Sequence, residues 1–219
     1  MIRAPGRPDP PLPRLLAALE GRPEAAAGAE TLVLTSGSAA DPAALDAMLA
    51  DWSARPKARA LVVGALGTHP DARSGRLRAL WAIEESARAR LPVLALRLAP
   101  MLGPRSPLWL RLRSQPALPD RGEKLLEPVV ESDVVETLAR ALADGGEWAG
   151  WCGVSGPEAL TLAEIRALAE PGERLPRDSG AWEPPPAELS EQRLCDGGPW
   201  RARFGIEPRR VTQEAPSWR

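Results

Sequence analysis

The side chains of this chain that could do chemistry are few and stand apart. His69, the only histidine, lies in Thr68-His69-Pro70, in a loop that follows an apolar run. A zinc site asks for several Cys, His or carboxylate ligands at characteristic intervals, and no second ligand stands at a useful spacing from His69. Its plain reading is a solvated or capping loop residue, its sharper one a ligand or catalytic group. Arg97 closes a β-type run, and open α/β sheets hold ligands at the carboxyl ends of their strands. The plain alternative is an arginine bonding the carbonyls of the loop from Pro100 to Gly103. Arg76 and Arg105 could join Arg97 in an anion-accepting patch or be solvated charges. Ser36 and Ser38 follow another apolar run, Thr31 to Thr35, and could touch a ligand or act as turn and cap residues. Cys152 and Cys195 fall in no ligand pattern and read as small buried thiols rather than a disulfide. No tyrosine occurs anywhere. The candidate ligand pocket is therefore Ser36, His69, Arg97 and Arg105, with no metal site.

The elements that would position these residues are legible from periodicity. Leu61, Val62 and Val63 form a short apolar run ended by Gly64, as in a parallel strand buried on both faces. From Ser74 the apolar positions Leu77, Leu80, Trp81 and Ala87 follow helical spacing, with Arg76, Glu84, Glu85 and Arg88 as the polar positions between them. Pro92 ends that helix, and Val93 to Leu98 is a second β-type run closed by Pro100 and Gly103. Together they make one βαβ crossover. Upstream, Asp41-Pro42 is a strong helix start, followed by Leu45, Met48, Leu49 and Trp52 on one face. Downstream come a helix over 108–113, a loop over 116–122 and a helix over 133–142 striped by Val134, Leu138 and Leu142, ended by Gly145-Gly146. Thr161 and Glu164 form a capping box before Ile165, Leu168 and Ala169. Residues 1–13 hold too many prolines for the interior of a strand or helix, 15–20 suit a short helix and 21–28 a loop. Beyond Pro171 the chain is rich in Pro, Gly and charge and reads as extended structure with one short helix over 188–194. Trp52 and Trp81 lie on helix stripes and read as core. Trp148, Trp151, Trp182, Trp200 and Trp218 read as covers for apolar surface.

Three stretches resemble the short-chain dehydrogenase superfamily in its atypical, extended branch, which includes the NmrA-like proteins, nucleotide-sugar epimerases and the Rossmann-like subunit of respiratory complex I. Leu96-Arg97-Leu98-Ala99-Pro100-Met101-Leu102-Gly103-Pro104 is similar to the family's L-R-P-x-x-x-x-G-P. Pro128-Val129-Val130-Glu131-Ser132-Asp133-Val134-Val135 is similar to its P-V-H-V-D-D-V-A. Gly153-Val154-Ser155-Gly156-Pro157-Glu158-Ala159-Leu160-Thr161 is similar to the G-G-P-E-x-L-T before its late helix. Arg203-Phe204-Gly205-Ile206-Glu207-Pro208 resembles the R-F-G-I-x-P near the C-terminus of some members. The resemblance implies an α/β fold: a truncated, doubly wound Rossmann-like parallel sheet with flanking helices, over residues 1–170, and a Pro-rich C-terminal extension, 171–219, packed on it. It also implies that Asp133 caps or flanks its helix.

The resemblance equally shows what this chain lacks. A dinucleotide-binding member opens with a strand running into G-x-x-G-x-x-G at a helix N-terminus, whose glycines admit the pyrophosphate backbone to backbone. No such motif precedes Thr31, and Asp9 to Gly21 is most similar to the family segment before its fourth strand. On that alignment the first βαβαβ unit, roughly 60 residues, is absent, or Met1 is a misassigned start and the missing half lies upstream. Gly64-Ala65-Leu66-Gly67 follows a strand but opens into a loop and lacks a third glycine. The family's oxidoreductases and epimerases also use a Tyr as general acid/base with a Lys four residues later on the same helix face. Aligned on the helix, Arg76 takes the Tyr position and Leu80 the Lys position, while the supporting Ser falls on Gly64 or Ala65. Arginine stays protonated near neutral pH and cannot shuttle protons. No catalytic residue and no cofactor is therefore expected, NAD(P) entering only under the alternative of a divergent oxidoreductase or epimerase.

Composition agrees with a protein that works without charge-driven partners. Formal net charge is −1, which argues for neither a nucleic-acid nor a membrane surface. Lys57 and Lys124 are the only lysines among 28 basic residues, a bias that fits a GC-rich bacterial genome. No run approaches the 18 or so apolar residues of a membrane span, and no apolar signal core opens the chain, so a cytoplasmic location is expected. In the complete family fold the first strand lies beside the fourth. Losing strands one to three would leave Thr31 to Thr35 as an uncovered apolar edge, which proteins avoid. The N-terminal segment, a second copy of the chain or another protein would have to cover it.

Overall fold

The computed structural model describes residues 2–3, 30–39, 41–114, 117–143, 146, 148–169, 186–191 and 194–218. In chain order the first half holds β1 (Ile2–Arg3), β2 (Thr31–Leu34), α1 (Pro42–Ser53), β3 (Arg59–Ala65), α2 (Gly75–Arg88) and β4 (Val93–Leu98). Then follow β5 (Met101–Leu102), α3 (Pro107–Arg113), β6 (Leu125–Leu126), β7 (Val129–Val130), α4 (Glu131–Ala143) and β8 (Trp151–Val154). The chain closes with β9 (Leu160–Thr161), α5 (Leu162–Leu168), α6 (Pro186–Leu189), α7 (Gly198–Phe204) and α8 (Val211–Glu214). These elements divide into two compact units of two segments each: Met1–Arg97 with Val135–Gly153, and Leu98–Val134 with Val154–Arg219. Residue 170, where a division was expected, falls inside the segment Val154–Arg219.

The first unit is an α/β layer built on a five-stranded sheet in the order β1-β2-β3-β4-β8. β2 runs parallel to β3 with Thr31 opposite Arg59 and Leu34 opposite Val62. All four residues of β2 are buried, as a strand covered on both faces requires. α1 starts where Asp41-Pro42 dictates: the Asp41 carboxylate accepts the N–H groups of Ala43 and Ala44 at 3.0 and 3.1 Å, satisfying donors that the first helical turn leaves open. Leu45, Leu49 and Trp52, one stripe of α1, are buried against Leu32, Leu34 and Val62. At about 1.5–3 kcal/mol per fully buried large apolar side chain, such stripes hold the helices to the sheet.

Two expectations about this unit change. Ile2–Arg3, read as too close to prolines for a strand, pairs parallel with β2, Ile2 opposite Thr31 and Arg3 opposite Leu32. Proline forbids only the positions it occupies and restricts the residue before it, so two residues ahead of Pro5 remain free to extend. β2 is thus no outer edge at Thr31 and Leu32, and β1 stands beside it where the doubly wound sheet has its first strand. The buried stripe of α2 is Leu77, Leu80, Ile83, Glu84 and Ala87. Glu84, expected on the polar face, lies inside, and Trp81, expected in the core, is half-buried.

In the second unit the stretches that carried the resemblance come together. β5 pairs in parallel with β7, the Val129 N–H reaches the Pro100 carbonyl at 3.1 Å and the Gly156 N–H reaches the Glu127 carbonyl at 3.2 Å. The motif glycines are explained by these crossings. A Cβ on Gly156 would lie 2.1 Å from the Pro128 carbonyl oxygen, and one on Gly103 would lie 2.5 Å from Glu131 Oε2 and 2.8 Å from Glu131 Cβ. β6 pairs antiparallel with β9, and α5 begins with the expected capping box of Thr161 and Glu164. The tail is more helical than its composition suggested. The expected helix is the single turn α6, ending at Leu189, and α7 and α8 follow it. Trp200 and Phe204 of α7 are buried, apolar anchors that outweigh the surrounding Pro and Gly. Expectations for residues 4–29, 171–185 and Trp182 lie outside the described residues.

Candidate functional site

The most constrained polar arrangement in the first unit joins α2 to the end of β4. Arg97 projects from β4 onto α2, where its Nε and Nη2 donate to the two carboxylate oxygens of Glu84 at 3.1 and 2.7 Å. Glu84 is 0% and Arg97 8% exposed. Arg88, one turn on, adds a third contact to Glu84 at 3.0 Å. The Arg97 guanidinium also lies against two indoles, 4.5 Å from the Trp151 ring centroid and 5.7 Å from that of Trp81. A two-pronged pair of this kind satisfies charges that would be very costly to bury alone. Arg97 therefore does not bond the carbonyls of the 100–103 loop; its guanidinium is paired with Glu84.

The remaining candidates are placed as follows. His69 is exposed in the loop after β3. Its Nδ1 accepts the Asp71 N–H at 3.2 Å, and its ring lies 5.9 Å from that of Trp81. Ser36 opens a single 3-10 turn after β2, and Ser38, in the same turn, accepts the Thr35 N–H at 3.1 Å. Arg105 belongs to the second unit and is exposed in the loop before α3. The structure thus puts Ser36, His69 and Arg97 in one unit and Arg105 in the other.

At the family's catalytic positions, Ala65 ends β3 half-buried, Arg76 is half-buried in the first turn of α2, and Leu80 is 0% exposed in its buried stripe. Thr68, buried, turns its hydroxyl onto the Ala65 carbonyl at 2.7 Å. Sequence reasoning missed Glu84 and Trp151. For Glu84 a signal existed, since it shares the 77, 80, 84, 87 spacing of the buried stripe and an arginine closes the next strand. For Trp151 there was none, because its neighbour Arg97 is distant in sequence.

In the second unit Asp133, 1% exposed, does more than flank its helix: its carboxylate accepts the Arg209 backbone N–H at 2.8 Å and Nη1 at 2.7 Å, fastening the C-terminal segment. Both cysteines are free thiols. Burial pushes the Cys195 thiol above its ordinary value; a Ser155 hydrogen bond partly offsets this, and the Glu127 and Asp196 carboxylates raise it further. That direction disfavours the thiolate, the reactive form of the group. Among the described residues no group of His, Cys, Asp and Glu could hold a metal ion, and no helix is long and apolar enough to cross a membrane.

No family model and no curated protein sequence matches this chain. Solved structures do. MoeE5 in complex with UDP-glucuronic acid and NAD aligns over 91% of this chain and 83% of its own, at 15% identity and a TM-score of 0.63. TunA, an NAD-dependent NDP-hexosamine 5,6-dehydratase involved in tunicamycin biosynthesis, aligns over 92% and 80%, at 16% identity and a TM-score of 0.64. DesIV, the dTDP-glucose 4,6-dehydratase of Streptomyces venezuelae, aligns over 86% and 72%, at 15% identity and a TM-score of 0.63. At such identities the likeness is one of fold. It is the fold that the three sequence stretches pointed to, a Rossmann-like parallel sheet with flanking helices.

Proposed function

We propose that this chain is a non-catalytic protein on the scaffold of the NAD-dependent nucleotide-sugar epimerases and dehydratases, acting by protein association or by holding a small ligand. The observation that carries this reading is Leu80. The residue four places after Arg76, where the family's ribose-holding lysine would stand, is an apolar side chain 0% exposed in the core. With Arg76 in place of the tyrosine, a nicotinamide held for hydride transfer does not fit the residues present. The similar structures are described with NAD, which favours a second reading, a divergent NAD(P)-dependent enzyme or the part of one that lacks its cofactor half. Calorimetric titration with NAD⁺ and NADH separates the two. Absence of saturable heat at millimolar cofactor supports the first reading, and a saturable isotherm removes it.

Association has its own support. β1 pairs only with Thr31 and Leu32, so on that side Val33 and Leu34 have no strand partner among the described residues. A second copy or another protein is proposed to complete this edge, in the cytoplasm of a bacterium with a GC-rich genome. A concentration-independent monomer by light scattering would contradict self-association.

A further inference from the structure

The pair of Glu84 and Arg97 leaves one edge of the guanidinium unused. Glu84 takes Nε and Nη2, and the opposite edge of the fork, Nη1 with the second hydrogen of Nη2, has no partner among the described residues. Arg97 is nine-tenths buried, yet Nη1 is not one of the buried atoms left without a partner, so it keeps access to solvent. Arg88 donates to the same Glu84 carboxylate at 3.0 Å, so two cations share one buried anion. Glu85, which also pairs with Arg88, is half exposed, and water screens its charge. Two indoles lie on the Arg97 guanidinium, Trp151 at 4.5 Å and Trp81 at 5.7 Å. Trp151, at the start of the outermost strand β8, is 53% exposed and Trp81 is half-buried. Aromatic surface thus reaches solvent beside a cation that Glu84 holds in place.

We propose that Arg97, Trp151 and Trp81 form a binding site for an aromatic monocarboxylate. A guanidinium carries five N–H donors in a planar fork, and a carboxylate matches two parallel donors at once. With one edge committed to Glu84, the other can hold a second carboxylate in the same two-pronged way. The charge balance favours an anion of unit charge. Arg88 and Arg97 set two positive charges against the one fully buried carboxylate, and a ligand carboxylate completes the balance. A dianion would leave surplus negative charge beside Glu84, which is costly away from water. The indoles select the rest of the ligand, because aromatic rings packed offset or edge-on gain more than the area they bury. The site gives the small-ligand arm of the proposed function a ligand class and so rests on that reading. Its test contains no cofactor, so its failure and a saturable NAD⁺ isotherm are separate results.

The test is titration of the intact chain with sodium benzoate at neutral pH and constant ionic strength, following the indole N–H signals by NMR. The Trp151→Phe spectrum identifies the Trp151 signal among the eight tryptophans. In parallel, benzamide keeps the ring without the charge, and acetate and glucuronate keep the charge without the aromatic ring. The expected result is a saturable shift of the Trp151 signal with benzoate in the millimolar range. The three other compounds should bind roughly tenfold more weakly, about 1.4 kcal/mol. Trp151→Ala should weaken benzoate by a similar factor, while Trp151→Phe, which keeps a ring, retains most of the binding. Arg88→Gln, which removes the second cation from Glu84, should weaken benzoate severalfold and leave benzamide unchanged. Leu194→Ala, at an exposed apolar residue of the second unit, should change nothing. No saturable shift with benzoate, equal binding of benzamide, acetate or glucuronate, or indifference to Trp151→Ala or Arg88→Gln would each overturn the proposal.

Discussion

The α2–β4 layer of the first unit and the β5–β7 junction of the second are both places where the chain resembles the epimerase–dehydratase scaffold, but they are held by opposite means. The junction is fixed by the absence of side chains: a methyl group on Gly156 would meet the Pro128 carbonyl, and one on Gly103 the Glu131 side chain. The layer is fixed by the presence of side chains, with Leu80 filling the core and Glu84 and Arg97 pairing inside it. Steric contacts that depend on backbone paths survive any loss of chemistry, because the fold fails without them. A polar position set by chemistry alone carries no such constraint, and position 80 holds a buried leucine.

Substitutions should separate the two regions by size of effect. Gly156→Ala must displace the Pro128 carbonyl, 2.1 Å from the new Cβ, so destabilisation of about 3 kcal/mol or more is expected from urea midpoints. A cost below 1 kcal/mol would mean that the junction is looser than the crossing distances imply. Glu84→Ala leaves the buried Arg97 charge without its partner and should cost about 3–5 kcal/mol, whereas replacing Glu84 and Arg97 together by Leu and Met should cost markedly less. If the double variant is as unstable as the single one, the pair's packing and not its charge is what matters. Leu80→Ala removes a core side chain that is 0% exposed and should cost about 2–5 kcal/mol.

The smallest effect is the most local. Thr161→Ala removes the α5 cap and should cost about 1 kcal/mol. The Glu164 carboxyl is held below its ordinary value, first by the Thr161 backbone N–H and then by the Thr161 hydroxyl. A carboxylate lowered in the folded state contributes stability at pH values above its unfolded value and loses it as the pH falls through the folded one. The deficit of Thr161→Ala relative to the parent chain should therefore shrink on acidification through the carboxylate range and stay constant at neutral pH. A deficit that grows on acidification would assign the cap to some other group.

What the sequence made legible follows the same division. Asp41-Pro42 and Thr161 with Glu164 announced their helices because a cap is decided by residues three or four places apart. The motif stretches announced the Rossmann-like parallel sheet with flanking helices, with glycine standing where Gly156 passes the Pro128 carbonyl. Glu84 was only half legible: its place in the 77, 80, 84, 87 stripe was in view, but its partner was not. Its burial is licensed by Arg97, thirteen residues away on another element, and helical periodicity sees only charge. Ile2–Arg3 was hidden by the prolines after it, and α7 by the Gly and Pro at its start, although its apolar anchors Trp200 and Phe204 were in view. Trp151 was unreadable as the neighbour of Arg97, since the two meet only because β8 lies beside β4 in the sheet.

The central claim is that the scaffold remains while hydride chemistry at the Arg76 and Leu80 positions is gone. The most direct measurement is turnover: the purified chain incubated with NAD⁺ and, separately, UDP-glucose, UDP-glucuronic acid and dTDP-glucose, with products and reduced nicotinamide followed over many hours. The account predicts no conversion above a protein-free control, for the chain as it is and for an Arg76→Ala variant alike. Conversion of any of these sugars by the chain, abolished by Arg76→Ala, would contradict it.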